Sequence, residues 1–134
     1  SSVFVKPFQQ ANSSKPKILY VEDDMTSLQY VNIILRSISE VDTAFDAATA
    51  LQLADKNNYD IMMLDINLGK GMDGLELMQR IRKLGRNQNT PFVAITAYAS
   101  ETDKNEFLDK GFSHYISKPF SSQELRNLIN QIFS

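Results

Sequence analysis

Cysteine is absent and histidine occurs once in the 134 residues, which excludes a disulfide framework, a thiolate metal centre and a His-rich zinc site. A chain without thiols is compatible with a reducing compartment. An excess of one charge is lacking too: 16 acidic and 14 basic side chains leave a formal net charge of −2, so nothing favours a polyanion and no direct nucleic-acid role is expected. The longest apolar runs, Ile61 to Leu64 and Ile33 to Leu35, fall far short of the roughly 20 residues that cross a bilayer, and no membrane role is expected. Internal repeats and low-complexity blocks are missing as well. What remains is 43% apolar residues, enough to build the core of one domain at the commonest domain size and too little chain for two.

Residues 1–16 mix Ser, Gln, Asn, Lys and two prolines around Val3, Phe4, Val5 and Phe8 without a sustained period. They read as a leader or linker before a domain over residues 17–134. From Lys17 onward, short apolar runs alternate with amphipathic segments at helical spacing, the pattern of a parallel α/β sheet. Strands are predicted at Lys17 to Val21, Glu40 to Phe45, Asp60 to Leu64, Pro91 to Ile95 and Phe112 to Ile116. The third is continuously apolar, so it belongs in the centre with both faces covered. Between the strands, Leu28, Val31, Leu35 and Ile38, then Ala47, Leu51 and Ala54, then Leu77, Met78 and Ile81, recur at helical spacing. Ser100 with Asp103, and Ser121 with Glu124, mark helix starts, and Gly111 marks a helix end.

In an open parallel sheet, ligands bind beyond the carboxyl ends of the strands. At those ends stand Glu22 and Asp23, Asp65, Thr96 and Lys118. Singly, each has an ordinary explanation. Acidic pairs after a strand complement a helix dipole, a strand-end Asp serves a turn, Thr is a good strand former, and Lys-Pro is a plain loop. Convergence is what those explanations leave out. Three carboxylates within a few ångström repel one another and need a cation, and all-oxygen donors select Mg²⁺ or a similar hard ion. Beside such a cation, with Thr96 and Lys118 to engage phosphoryl oxygens, Asp65 has the surroundings of a nucleophile that forms an acyl phosphate.

The motifs Leu19-Tyr20-Val21-Glu22-Asp23-Asp24, Leu64-Asp65, Met72-Asp73-Gly74, Thr96-Ala97 and Tyr115 through Lys118-Pro119-Phe120 together resemble the receiver domain of two-component response regulators over about residues 17–134. The resemblance implies a single flavodoxin-like, doubly wound (βα)5 domain with strand order 2-1-3-4-5. It implies phosphorylation of Asp65, direct Mg²⁺ contacts from Asp65, Asp23 and the carbonyl of Asn67, and Glu22 acting largely through water. Thr96 and Lys118 match the phosphoryl contacts, Thr96 and Tyr115 the switch pair, and Lys118-Pro119 a bond typically cis. Asn67 and Tyr98 match positions that tune phosphoryl lifetime. The implied donor is a histidine kinase or histidine phosphotransfer protein, the implied recipient a downstream output domain or protein, and the implied location cytoplasmic. No catalysis is implied beyond the domain's own phosphorylation and dephosphorylation. Two departures stand out: Leu68-Gly69-Lys70-Gly71 replaces the common Met-Pro loop, and Ser113-His114 occupies positions often acidic in winged-helix regulators, which argues against a dimer of that type.

Several rival readings compete. Gly69 to Gly74 imitates a phosphate loop, but its lysine is misplaced and no Gly-Lys-Ser/Thr follows. His114, beside Ser113, reads as a solvated polar residue. A haloacid-dehalogenase-type phosphatase would need a general acid two residues past its aspartate, where this chain has Asn67. A pseudo-receiver that never takes phosphate would be expected to have lost Asp65, Thr96 or Lys118, and all three are present.

Overall fold

The computed structural model describes residues 15–68, 72–97 and 100–133. Strand and helix alternate as β1 (Lys17–Val21), α1 (Met25–Arg36), β2 (Glu40–Ala44), α2 (Ala47–Lys56), β3 (Ile61–Asp65), α3 (Gly74–Leu84), β4 (Phe92–Thr96), α4 (Glu101–Asp109), β5 (His114–Ser117) and α5 (Ser122–Phe133). All strand pairs are parallel and the sheet order is β2-β1-β3-β4-β5. This is the doubly wound order expected from the resemblance.

Short polar side chains fix where the helices start. Asp24, Asp46 and Asp73 accept from the backbone N–H of Ser27, Thr49 and Glu76, and Ser100 accepts from that of Asp103. Each thereby satisfies a donor that the first helical turn leaves orphaned. At α5 the box is reciprocal: Glu124 N donates to Ser121 Oγ and Ser121 N to Glu124 Oε1, both at 3.0 Å. Asp24 therefore has the plain capping role, while Asp23 beside it does not.

Because side chains alternate along a strand, the sheet carries two separate apolar layers. Ile18, Tyr20, Ile61, Met63, Val93, Ile95 and Ile116 pack with Val31, Ile34 and Leu35 of α1 and Leu125 and Ile129 of α5. Leu19, Val21, Met62, Leu64, Phe92 and Ala94 face α2 and α3, where Ala50, Ala54, Leu77, Met78 and Ile81 complete the opposite layer. Every residue of β3 and β4 is buried, at about 1.5–3 kcal/mol for each large apolar side chain. That burial puts β3 in the middle, as its continuous apolar run predicts.

Four strands depart from the sequence expectation, the smallest change being at β2, which ends at Ala44 and not Phe45. Strands β3 and β4 run one residue later than expected, so that Asp65 and Thr96 are themselves the last strand residues. The larger shift is at β5, which begins at His114 because Phe112 is part of the helix cap. Gly111 takes φ +120° and donates to Leu108 O, and Phe112 N donates to Phe107 O, the paired bonds of a Schellman ending. The Phe107 and Phe112 rings then meet edge to face, 6.2 Å apart. His114 is also not the solvated residue expected. It is half-buried, and its Nδ1 is buried without a partner among the described residues. No helix of the described residues is long and apolar enough to cross a membrane.

Candidate functional site

Alternation carries past the strand ends and sorts the site residues by face. Tyr20 lies on the α1/α5 side of β1, and Glu22 follows it two residues on. Asp65 continues the Ile61, Met63 row of that side, and Lys118 continues from Ile116. Thr96 instead follows Phe92 and Ala94 on the α2/α3 side, where Tyr115 also packs. The carboxylates and the ammonium therefore converge on one side of the sheet's carboxyl edge, and the hydroxyl with its aromatic companion on the other.

The convergence is tight. Lys118 Nζ donates to Glu22 Oε1 at 3.1 Å and to Asp65 Oδ2 at 3.2 Å. Ligand oxygens of Glu22, Asp23 and Asp65 all lie within 4.8 Å of one another. Glu22 is fully buried, Asp65 is nearly so, and Asp23 is exposed, so the cluster opens to solvent at Asp23. The backbone N–H of Asn67 donates to Asp65 Oδ1 at 3.0 Å, while the Asn67 side chain is exposed. Thr96 is buried at the end of β4, and its carbonyl accepts from Lys118 N at 2.8 Å. The Lys118–Pro119 peptide is cis, as the resemblance implies. Tyr115 is half-buried, with Lys104 Nζ 4.8 Å from its ring centre. Tyr98 lies outside the described residues, as do residues 69–71 of the loop departure and residues 1–14 of the leader.

The electrostatics show charge still in excess. Burial pushes the Glu22 carboxyl up to about 7, Asp65 beside it adds to the rise, and Lys118 opposes it. Burial works against the Lys118 ammonium, but Glu22 and then Asp65 outweigh it and raise its affinity for the proton. One lysine does not neutralise the cluster. Three hard-oxygen donors left in that condition fit a dication of the Mg²⁺ kind. When bound, such an ion supplies charge neutralisation for an incoming phosphoryl group.

Position of the acid is secured by the backbone around it. A methyl group at Gly74 would stand 2.5 Å from the Asp65 carbonyl oxygen and 2.9 Å from Ile66 Cα, and Gly74 N donates to Ile66 O at 3.0 Å. The first residue of α3 thus rests directly on the strand end that carries Asp65. One site residue, quoted in the first strand's motif, was given no role by the sequence. Tyr20, fully buried, donates its hydroxyl to Glu22 Oε1 at 3.1 Å. Its signal was its place two residues before an acid on one strand face.

Residues 18–130 match the response regulator receiver domain. The chain belongs to that family. Among its relatives, the chemotaxis protein CheY of Pseudomonas aeruginosa is 33% identical over 119 residues, covering 87% of this chain and 95% of CheY. The response regulator ArlR of Staphylococcus saprophyticus is 38% identical over 110 residues, covering 81% of this chain but only 48% of ArlR. The chain therefore spans about half the length of that relative. Among solved structures, Vibrio cholerae CheY4 superposes with a TM-score of 0.82 at 28% identity, covering 88% of this chain and 98% of its own. The receiver domain of a Pseudomonas aeruginosa sensor histidine kinase, with magnesium ion coordinated in its active site cleft, gives a TM-score of 0.79 at 28% identity over 89% of this chain and 98% of its own. This receiver domain is thus a regulatory module of two-component signalling, with the flavodoxin-like fold those neighbours share.

Proposed function

We propose that this receiver domain is a Mg²⁺-dependent phosphoacceptor switch over residues 17–134, with residues 1–16 a leader or linker. An Asp65 carboxylate oxygen attacks the phosphorus of a phosphohistidine on a histidine kinase or phosphotransfer protein. The P–N bond breaks, the imidazole departs, and an acyl phosphate remains on Asp65. Glu22, Asp23, Asp65 and the Asn67 carbonyl would hold the metal. Lys118 and Thr96 engage phosphoryl oxygens, and Thr96 with Tyr115 passes the change to the surface that a downstream output domain or protein reads. Asn67 and Tyr98 adjust how long the acyl phosphate survives water. The proposal is of a cytoplasmic regulator and not of a turnover enzyme.

The observation that carries this reading is the Lys118 ammonium, 3.1 Å from Glu22 and 3.2 Å from Asp65, next to an exposed Asp23. A pseudo-receiver has no need to keep that set together. Intact-mass measurement after incubation with acetyl phosphate and Mg²⁺ should show one labile phosphoryl group. It should be absent from Asp65→Asn and from chelator-treated protein. Undiminished labelling in either would falsify the assignment.

A further inference from the structure

Glu22 is a fully buried carboxylate whose oxygens are both occupied by donors of the protein itself. Its Oε2 accepts from Asp24 N at 3.2 Å. Its Oε1 accepts twice, from Lys118 Nζ and from the Tyr20 hydroxyl, each at 3.1 Å. The two donors differ in what they can do next. Lys118 ends a flexible stem, is partly exposed, and borders a cavity of about 430 Å³ lined also by Tyr20, Tyr30, Val31, Ala97 and Phe120. Tyr20 is instead held by the β1 backbone on the inner wall of that cavity, with no solvent exposure.

We infer that Tyr20 is a positioning residue that keeps Glu22 partnered when Lys118 turns from it to the phosphoryl group on Asp65. The inference rests on the phosphoacceptor reading above and deepens it. With Asp65 modified, three new acceptor oxygens compete for the one ammonium. As Lys118 follows them, Oε1 loses its charged protein donor. Beside a metal that Glu22 reaches largely through water, this buried oxygen needs a second protein donor already in place, because an orphaned buried acceptor is penalised by its lost hydration. A strand-borne phenol suits that task because its geometry does not depend on where the lysine goes. Phenylalanine at this position would fill the same space and leave the acceptor to Lys118 alone.

Tyr20→Phe separates the two states. The resting protein keeps Lys118 on Oε1, so its unliganded thermal midpoint should change little. Affinity for beryllium trifluoride, a phosphoryl analogue bound with Mg²⁺, should fall roughly tenfold, equivalent to about 1.4 kcal/mol, and phosphorylation from acetyl phosphate should reach a lower steady level. Equal analogue affinity in the variant and wild type overturns the inference. So does a loss of resting stability as large as the loss in analogue binding, which is what a merely structural tyrosine would give. A second comparison needs no phosphoryl group. In Lys118→Met the same hydroxyl becomes, among the described residues, the only side-chain donor to Oε1, so removing it should lower the resting midpoint more than in wild type, and an equal drop overturns the inference. A wild type that labels at Asp65 while Tyr20→Phe matches it counts against Tyr20 alone. Failure of the wild type to label at all overturns the phosphoacceptor reading, and this inference with it.

Discussion

At Lys118 one ammonium serves two carboxylates, so a cation that enters the cluster meets a like charge a few ångström away. Unit charges about 4 Å apart interact by about 1 kcal/mol in water and about 4 kcal/mol at an effective dielectric of 20. Lys118→Ala should therefore bind Mg²⁺ more tightly, by about tenfold in a calorimetric titration, even as phosphorylation weakens for want of the ammonium. Unchanged or weaker Mg²⁺ binding would mean that the lysine does not stand over the metal's donors. Residues of this kind were legible in the sequence because ligands bind beyond the strand ends of a parallel sheet, and the ordinary reasons for each charge there leave their convergence unexplained. Tyr20 was not, since tyrosine is an ordinary strand former and only its hydroxyl's direction reveals its use. Asn87 was hidden for a similar reason. Fully buried, it ties two loops by donating to Ala54 O and Asn57 O and accepting from Tyr59 N, yet in sequence it is one more loop asparagine.

Elements begin and end where small residues allow it, and two glycines divide the site from the scaffold. Gly74 starts α3 against the Asp65 carbonyl, 2.5 Å from where a methyl would sit. Gly74→Ala must push the strand end aside, at about 1–3 kcal/mol as judged by overpacked cores, and a displaced Asp65 should phosphorylate more slowly per folded molecule. Gly111 has no such neighbour at the site. Its φ of +120° makes Gly111→Ala unfavourable by about 1 kcal/mol, which should appear in chemical denaturation while labelling of Asp65 per folded molecule stays at the wild-type level. A reversed pattern, with Gly111→Ala impaired in labelling and Gly74→Ala not, would contradict the division. The same cap explains the boundary that sequence reading misplaced. Phe112 is apolar and lies next to a strand, so pattern alone assigns it to β5. Its N–H is committed backwards to Phe107 O, and backbone commitments of that kind leave no trace in hydrophobic periodicity.

Across the whole molecule, the apolar layer that α3 and α4 share is unequal along its length. Helix α3 buries Leu77, Met78 and Ile81 to within 1% exposure, whereas no described side chain of α4 is fully buried and Leu108 is 43% exposed. Mg²⁺ should act on the molecule as a unit, since folding assembles its donors. Linkage gives about 1 kcal/mol or more once the ion exceeds its dissociation constant several-fold, or roughly 3–5 °C in midpoint for a domain of this size. Asp23→Asn should lose most of that shift. Phosphorylation should act more locally. Thr96 and Tyr115 lie on the α2/α3 side of the sheet, towards the layer that Phe107 of α4 joins, and Lys104 of α4 reaches over the ring face of Tyr115. A weakly buried helix opens at low free energy and responds first to a change beneath it. Hydrogen exchange followed with and without beryllium trifluoride and Mg²⁺ should therefore show fast exchange in α4 in the resting state, and its largest ligand-dependent change in α4 and β5. In Thr96→Ala the analogue should still bind Asp65, while the change in α4 and β5 is lost. If those amides respond in Thr96→Ala as they do in the wild type, the signal reaches the surface by a route that bypasses the end of β4.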